Sequence, residues 1–234
     1  FTTCGWMMWN WLVSGLGVGA TLVLFEGNPG YPDMNRLWKL AAETKLHVFG
    51  TSAKYLASCE KAAINPGRDF DLSNLRCVCS TGSPLSAELF EWTYGHVKRD
   101  LQLASICGGT DIISCFILGN PMLPVYSGEI QCRGLGMDVH AWDENQQPVK
   151  NEKGELICAT PFPCQPVCFW NDPDGAKYRG AYFDYYADVG GREQGTGNGE
   201  QGRPPLVWRH GDFIEITDTG GIIVYGRSDA TLNP

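Results

Sequence analysis

The chain has 234 residues, enough for one large domain or two smaller ones with an apolar core. Hydrophobic residues make up 43% and charged residues 19%, which is the composition of a globular protein and excludes an intrinsically disordered chain. The formal net charge is −8 and no stripe of Lys and Arg is visible, so the sequence argues against a nucleic-acid-binding role.

Ten cysteines and four histidines are scattered along the chain. No CxxC pair occurs, and the closest spacings are Cys77 to Cys79 and Cys164 to Cys168, so the pattern argues against a zinc site. Several cysteines lie in apolar runs, where a free thiol behaves as a small hydrophobic residue. Because no secretory signal is present, we expect reduced thiols and a cytosolic location.

Residues 4–25 carry no formal charge and contain a GxxxG spacing at Gly15 and Gly19. This length could span a bilayer, and GxxxG is a packing motif of membrane helices, so a membrane protein is one alternative. However, Asn10 interrupts the run, and no flanking Lys or Arg sets a topology. We predict a buried helix, a glycine turn at 15–19 and a buried strand at 20–25.

The next hundred residues alternate between helix and strand patterns. The predicted helices are 35–45, 52–63 and 86–98, with Ser86 as N-cap, and the predicted strands are 46–49, 75–80 and 101–107. Such alternation predicts βαβ units and a mostly parallel sheet. Ligands of such sheets bind beyond the carboxyl ends of the strands, where the glycine-bearing segments 81–84 and 107–111 fall.

After residue 123 helical periodicity is replaced by short strands. We predict strands at 128–132, 137–142, 155–160, 213–217 and 222–225, with one helix at 171–182. Residues 190–205 are rich in Gly and lack apolar anchors, which predicts a flexible surface loop. This half of the chain should therefore form a small antiparallel β-subdomain.

Residues 208–229 read WRHGDFIEITDTGGIIVYGRSD, which is typical of a β-hairpin with Gly at the reversal. Asp212 stands beside Gly at the start of a strand, where a carboxylate could accept hydrogen bonds from the vicinal hydroxyls of a ribose. Arg227 at the far end could bind sugar or phosphate oxygens. The alternative is a surface hairpin with solvated charged ends.

These motifs together resemble the adenylate-forming enzymes, which include acyl-coenzyme A synthetases, luciferases and the adenylation domains of peptide synthetases. Within this family, the sequence of these segments is most similar to that of the synthetases that activate acetoacetate. The segments follow the family's order across most of the chain: TTCGWMMWNWLVSGL at 2–16, CSTGSPLSA at 79–87, SICGGTDIISCF at 105–116, LPVYSGEIQCRGLGM at 123–137, PFPCQPVCFWND at 161–172 and GRSDATLNP at 226–234.

The resemblance implies a piece of the large N-terminal domain of such an enzyme. Its fold class would be α/β, with a mostly parallel α/β subdomain at 1–123 and a small antiparallel β-barrel-like subdomain at 124–226. Residues 190–205 would be an insertion that could disturb the approach to 208–210, and 227–234 would be the hinge stub to a C-terminal domain. Because the chain begins with Phe and ends directly after this motif, we expect a longer protein.

The resemblance also implies the reaction. Acetoacetate would attack the α-phosphate of ATP to give acetoacetyl-adenylate and pyrophosphate, with Mg²⁺ assisting, and coenzyme A would then displace AMP to give the thioester. We expect small-molecule partners only, with neither nucleic acid nor membrane. The family's phosphate loop ending in Lys and its C-terminal lysine are not found in this sequence. We therefore expect that the 234-residue chain does not catalyse the full reaction alone.

The family's nucleotide-binding positions can be carried over residue by residue. Thr110 would donate to the α-phosphate, and Asp111, where the family more often has Glu, would coordinate Mg²⁺. The structural alternative for this pair is the capping of a helix or turn. Adenine would pack on the loop that bears Gly82, Ser83 and Pro84, with Gly109 in the adjoining segment.

The late motifs would supply the remaining contacts to the nucleotide. Asp212 matches the acid that binds the ribose hydroxyls, and Arg227 matches an Arg that contacts ribose or phosphate. Asp229 matches the hinge about which the family's C-terminal domain rotates between the two half-reactions. The alternative for Arg227 and Asp229 is a surface ion pair.

The acyl pocket is predicted from Gly108, because small-acid relatives carry a bulky Trp at this position and a glycine would leave room for a longer acid. Positions near that pocket are Trp6, Met7, Met8 and Thr81, although a Trp and Met cluster is also typical of plain core. Two alternative functions stay open: another short- or medium-chain acyl-coenzyme A synthetase, and a non-catalytic nucleotide-binding remnant.

Overall fold

The computed structural model describes residues 2–186 and 207–229, and the chain divides into two compact units, Phe1–Cys132 and Arg133–Pro234. Within the described ranges, no helix combines the length and the apolar character that a membrane crossing requires. The predicted insertion at 190–205 and the last residues of the predicted hinge stub, 230–234, lie outside the described residues.

The first unit combines helices with a parallel sheet. Its helices are α1 (Met7–Ser14), α2 (Arg36–Glu43), α3 (Ala53–Lys61), α4 (Pro66–Asp69) and α5 (Ala87–His96), and a 3₁₀ turn at Gly15–Val18 follows α1. Its strands are β1 (Val48–Ser52), β2 (Cys77–Thr81), β3 (Gln102–Ser105), β4 (Cys107–Gly109) and β5 (Ser114–Leu118), and the short β6 (Cys132–Arg133) lies at the unit boundary.

Strands β1, β2 and β3 pair in parallel, as the alternation of helices and strands predicts. Val78 on the central strand aligns with Phe49 and Leu103, so alternate residues of all three strands share one face. That face is buried with apolar side chains of α2, α3 and α5, including Trp38, Leu56 and Phe90. The core of the first unit therefore comes from one sheet face and the apolar stripes of these helices.

Serine residues stand at the N-cap positions of two helices, of which Ser86 is the predicted one. Ser52 is the N-cap of α3, and its hydroxyl accepts the backbone N–H of Tyr55 at 3.2 Å. Ser86 stands at the N-cap position of α5 with an extended backbone, but its side chain makes no capping hydrogen bond there. The helix positions are thus confirmed, while capping by the Ser86 side chain is wrong.

The prediction for residues 4–25 is confirmed for the helix, as α1, and for the glycine turn, but the predicted burial of the helix is wrong. Met7 is the only buried residue of α1, and residues 20–25 form no strand. Val18 and Leu24 are 86% and 65% exposed. Strand composition is not sufficient, because a strand also needs a neighbour that pairs with its backbone groups.

The chain after β3 differs from the prediction because a single strand at 101–107 is broken at Ile106. Strands β4 and β5 form an antiparallel hairpin, in a separate sheet of order β4-β5-β6. Of the predicted strand at 128–132, only Cys132 lies in β6. The buried Gln131 before it holds the preceding loop, because its amide group accepts from Asn120 N at 2.9 Å and donates to Leu123 O at 2.7 Å.

The second unit contains the predicted antiparallel sheet. Its strands are β7 (Val139–Trp142), β8 (Pro148–Val149), β9 (Gly154–Cys158), β10 (Trp208–Ile216) and β11 (Ile222–Arg227), in the order β11-β10-β9-β7-β8. Gly220 in the β10–β11 turn has φ +82°, the conformation for which a hairpin selects glycine. A second 3₁₀ turn covers Asp184–Tyr186.

The helix predicted at 171–182 is shorter in the structure, where α6 covers Ala176–Tyr182. The preceding residues form a turn in which Asp172 accepts the backbone N–H groups of Lys177 at 3.0 Å and Tyr178 at 2.9 Å. At the other end of α6, the Tyr182 ring stacks on buried Trp208 with 3.6 Å between the ring centroids. Aromatic packing thus anchors α6 to β10.

We predict that Gly67→Ala destabilises the chain. A Cβ at Gly67 would lie 2.2 Å from the backbone oxygen of Val97, so α4 and the end of α5 would have to move apart. Overpacking of this kind costs about 1–3 kcal/mol, measurable as a lower urea midpoint of unfolding.

Gly95→Ala is the matched control for this prediction. Gly95 lies within α5, and a Cβ there would meet no atom within 4 Å. Replacing a helix glycine by alanine should raise stability by roughly 0.5–1 kcal/mol. Equal midpoints for the two variants would contradict the close approach of α4 to α5.

Candidate functional site

In the first unit, two segments predicted to bind the nucleotide begin at the same edge of the parallel sheet. The backbone N–H of Ile106 donates to Ser80 O at 3.1 Å, which ties the end of β3 to the end of β2. The turn at 82–84 follows β2, and β4 follows β3. The expected position of both segments at the carboxyl ends of parallel strands is confirmed.

The turn at 82–84 lies against an aromatic side chain from the N-terminal part of the chain. Gly82 has φ +88°, and a Cβ at this position would lie 3.6 Å from the ring of Trp6. Met7 next to it is buried and Met8 is half-buried. The structure thus brings Trp6 to the predicted adenine loop.

Thr110 and Asp111 lie at the tip of the β4–β5 hairpin, and both are exposed. Thr110 O accepts the backbone N–H of Ile113 at 3.2 Å, and Trp11 Nε1 donates to Ile113 O at 3.1 Å. The indole of α1 therefore fixes one side of the hairpin tip. The pair lies in a turn, which is one of the two structural settings that the sequence allows, and it presents a hydroxyl and a carboxylate to solvent.

In the structure, the backbone packing around position 108 favours a glycine there, independently of any acyl pocket. A Cβ at Gly108 would lie 2.2 Å from Ser114 O and 2.6 Å from Cys115 Cα, on the paired strand β5. The side-chain direction at 108 is thus occupied by backbone. The close approach of the strands therefore accounts for this glycine, and the expectation that it leaves room for a longer acid stays a prediction.

In the second unit, β10 contains a bulge at the predicted nucleotide-binding motif. Arg209 aligns with Ile157 and Phe213 aligns with Glu155, so three residues of β10 stand opposite one residue of β9. Gly211 within the bulge has φ +84°, which favours glycine. A bulge re-aims the side chains around it, here those of residues 210 and 212.

Asp212 is buried, with 7% of its surface exposed. Its Oδ2 lies 3.4 Å from His210 Nε2, and its backbone aligns with Arg227 across the hairpin. A buried carboxylate needs polar partners, and the imidazole supplies one within the unit. The alternative interpretation of a solvated charged end is thus wrong for Asp212.

Arg227 and Asp229 form an ion pair, with Arg227 Nε donating to Asp229 Oδ1 at 2.8 Å and Nη2 contacting Oδ2. Hydrogen bonding to this guanidinium lowers the pKa of the Asp229 carboxyl group from its usual value. Both side chains are about half exposed, so the pair contributes little stability and either group can exchange its partner for a ligand at low cost.

Glu155 is a site residue that the sequence reasoning missed. It is buried on β9, and its carboxylate accepts hydrogen bonds from Gly211 N at 3.0 Å, Ser228 Oγ at 2.8 Å and Arg209 Nη2 at 3.2 Å. The Arg209 guanidinium also lies 4.2 Å from the centre of the Tyr185 ring. The signal in the sequence was a charged residue inside the apolar strand GELIC, because such a residue is rarely buried without a partner.

Comparison with known proteins identifies the class of this chain. Residues 1–164 match the family described as AMP-binding enzyme, so the chain belongs to that family. The carboxyl-end segments of the first unit lie within the matched residues, whereas the β10 bulge lies beyond them.

Two relatives that match this chain over its whole length are both acetoacetyl-CoA synthetases. The chain is 56% identical to acetoacetyl-coenzyme A synthetase of Rhizobium meliloti (strain 1021) over 234 residues, covering all of this chain and 33% of the relative. It is 48% identical to acetoacetyl-CoA synthetase of Mus musculus over 235 residues, covering 32% of that protein. The chain thus spans about a third of the length of these relatives.

Solved structures agree with this result. The acetoacetyl-CoA synthetase from Streptomyces lividans superposes with a TM-score of 0.83 at 46% identity, covering all of this chain and 34% of that one. An anthranilate CoA ligase in complex with anthranoyl-AMP has a TM-score of 0.67 at 20% identity, over 91% of this chain and 35% of that one. This second likeness supports the shared fold alone.

We predict that Gly211→Ala destabilises the chain more than Gly220→Ala. Both glycines have a left-handed backbone, where a Cβ costs about 1–2 kcal/mol. A Cβ at Gly211 would in addition lie 2.9 Å from Arg227 Nη2 and 3.1 Å from Asp229 Oδ2, whereas one at Gly220 would meet nothing within 4 Å. Urea unfolding of the two variants isolates the contact, and equal losses would mean that the ion pair moves aside freely.

Proposed function

We propose that this chain is part of an ATP-dependent acid–thiol ligase that converts acetoacetate to acetoacetyl-AMP and then to acetoacetyl-CoA. The observation that carries the proposal is similarity along the whole chain, at 56% identity, to an acetoacetyl-CoA synthetase. Its products would be acetoacetyl-CoA, AMP and pyrophosphate. All ten cysteines are free thiols, which supports the cytosol as its location.

The proposed adenylation step uses the hairpin tip of the first unit. The Thr110 hydroxyl would donate to an α-phosphate oxygen, and the Asp111 carboxylate would hold Mg²⁺, which prefers carboxylate oxygens and phosphate together. The exposed position of both residues supports these roles, because an incoming nucleotide can reach them. When bound, Mg²⁺ would neutralise charge on the phosphates.

The adenine ring would pack on the turn that bears Gly82, Ser83 and Pro84, next to Gly109. The nearness of the Trp6 ring supports this role, since a Cβ at position 82 would lie 3.6 Å from the ring. Gly82 itself carries no side chain, which lets a planar base approach its backbone closely.

In the second unit, Asp212 would accept hydrogen bonds from the ribose hydroxyls, and Arg227 would bind ribose or phosphate oxygens. Asp229 would serve as the hinge for the change between the half-reactions. The ion pair between Arg227 and Asp229 supports a coupled role, because nucleotide binding to Arg227 competes with its hold on Asp229. If Arg227 exchanged Asp229 for the nucleotide, the Asp229 side chain would lose its partner and the backbone at the hinge could move more freely.

The acid specificity rests on fewer residues than the rest of the site. Trp6, Met7, Met8, Thr81 and Gly108 remain the proposed acyl-pocket positions, and backbone of β5 fills the side-chain direction at Gly108. The second candidate is an acyl-coenzyme A synthetase for another short- or medium-chain acid. A non-catalytic nucleotide-binding remnant is the third.

We predict that a full-length protein carrying this chain releases pyrophosphate from ATP with acetoacetate faster than with acetate, butyrate or 3-hydroxybutyrate. The assay contains Mg²⁺ and coenzyme A, and an enzyme-free reaction is the control. A preference for another acid would replace the substrate but retain the ligase. No release with any of the four acids would favour the non-catalytic remnant.

We predict that Asp212→Asn in the same full-length protein raises the KM for ATP about tenfold or more, because each lost charge-assisted hydrogen bond is worth roughly 1.5–3 kcal/mol. Asp218→Asn is the matched control, since this exposed carboxylate lies in the turn at the far end of the hairpin and bonds to Asn151. An unchanged KM for ATP in Asp212→Asn would remove this residue from the site.

A further inference from the structure

The bulge of β10 is held by a side chain rather than by the backbone of its neighbour. Between the aligned pairs Arg209 with Ile157 and Phe213 with Glu155, β10 has two residues more than β9. The N–H of Gly211, in the middle of this excess, donates to Glu155 Oε1 at 3.0 Å. Glu155 thus supplies the acceptor for the inserted backbone, and a buried N–H needs one.

The same carboxylate oxygen reaches the segment after β11. Ser228 Oγ donates to Glu155 Oε1 at 2.8 Å, and Ser228 N donates to Gly211 O at 2.9 Å. Ser228 stands between Arg227 and Asp229 in the sequence. The hydrogen bonds of its hydroxyl and its backbone N–H therefore hold these two neighbours beside the bulge. One buried side chain therefore ties the backbone beside Asp212 to the backbone beside the hinge residue.

An ionised carboxylate suits this position better than any other side chain. Its two oxygens accept three hydrogen bonds here, from a backbone N–H, a hydroxyl and a guanidinium, and it donates none. Arg209 provides the countercharge, and the Tyr185 ring lies against the guanidinium. A glutamine would be isosteric, but its NH₂ group would face a donor of Arg209 or Ser228.

We propose that Glu155 is a positioning residue for the nucleotide, which acts through the bulge on Asp212 and through Ser228 on Arg227 and Asp229. The proposal rests on the ligase function proposed above. Because one side chain fixes both segments, its loss affects the adenylation step and the thioester-forming step together. A residue that only stabilised the fold would leave the affinity for ATP unchanged.

The test compares Glu155→Gln with Glu215→Gln in a full-length protein carrying this chain. Glu215 is a matched control, since it lies on β10 beyond the bulge and accepts a hydrogen bond from Tyr225 on the neighbouring strand β11. We expect Glu155→Gln to raise the KM for ATP about tenfold, because Asp212 and Arg227 would no longer be held in place, and to slow thioester formation from preformed adenylate. Glu155→Asp, which keeps the charge, should recover part of both losses.

A second readout needs no activity. Hydrogen exchange of the Gly211 and Ser228 amides should be faster in Glu155→Gln than in the unchanged protein, and unaffected in Glu215→Gln. A wild-type KM for ATP together with wild-type exchange at these amides would overturn the proposal. A lower melting temperature with an unchanged KM would also overturn it, because the role would then be structural only.

Two further outcomes are decisive as well. If Glu155→Gln does not fold, Glu155→Asp is judged by the same KM and exchange criteria, since it shortens the side chain by one methylene and retains the charge. If the unchanged protein releases no pyrophosphate with any acid, the ligase function fails. AMP binding by calorimetry, compared between the unchanged protein and Glu155→Gln, then decides whether Glu155 positions a nucleotide site, and equal affinities refute it.

Discussion

The irregular parts of both units depend on buried polar side chains that take the place of missing backbone partners. Glu155 accepts the N–H of Gly211 in the β10 bulge, and Gln131 holds the loop that precedes β6. Asp172 accepts two N–H groups in the first turn of α6. In each case a buried donor or acceptor would cost free energy if it were unpaired, so the side chain decides where regular structure stops.

A second constraint comes from parallel pairing. Since β2 and β3 run in the same direction, their carboxyl ends meet at one edge, and the segments that follow them begin side by side. This pairing is the reason that the turn at 82–84 begins next to the hairpin that carries Thr110 and Asp111. From the N-terminal part, Trp11 donates a hydrogen bond to Ile113 O in the hairpin, and the Trp6 ring lies on the side of Gly82 where a Cβ would be.

Glycines that look equivalent in the sequence have different physical reasons. Gly211 is required by its backbone conformation and is surrounded by the Arg227 and Asp229 side chains. Gly108 is required by the backbone of β5, which fills its side-chain direction. From a family comparison, a glycine near a pocket is interpreted as leaving room for substrate. The same glycine can instead be needed where two strands pack closely, and only the surrounding structure distinguishes the two explanations.

The sequence by itself determined the alternation of helices and strands from 35 to 107, the antiparallel second half and the membership of motifs such as HGD in a known family, because periodicity and turn chemistry are local. The tertiary structure decided that residues 20–25 are not a strand, that the strand predicted at 101–107 divides into β3 and the start of a hairpin, and that Asp212 is buried. It also decided the role of Glu155, because three donors that are distant from it in sequence bind its carboxylate. A local sequence pattern cannot predict such long-range contacts.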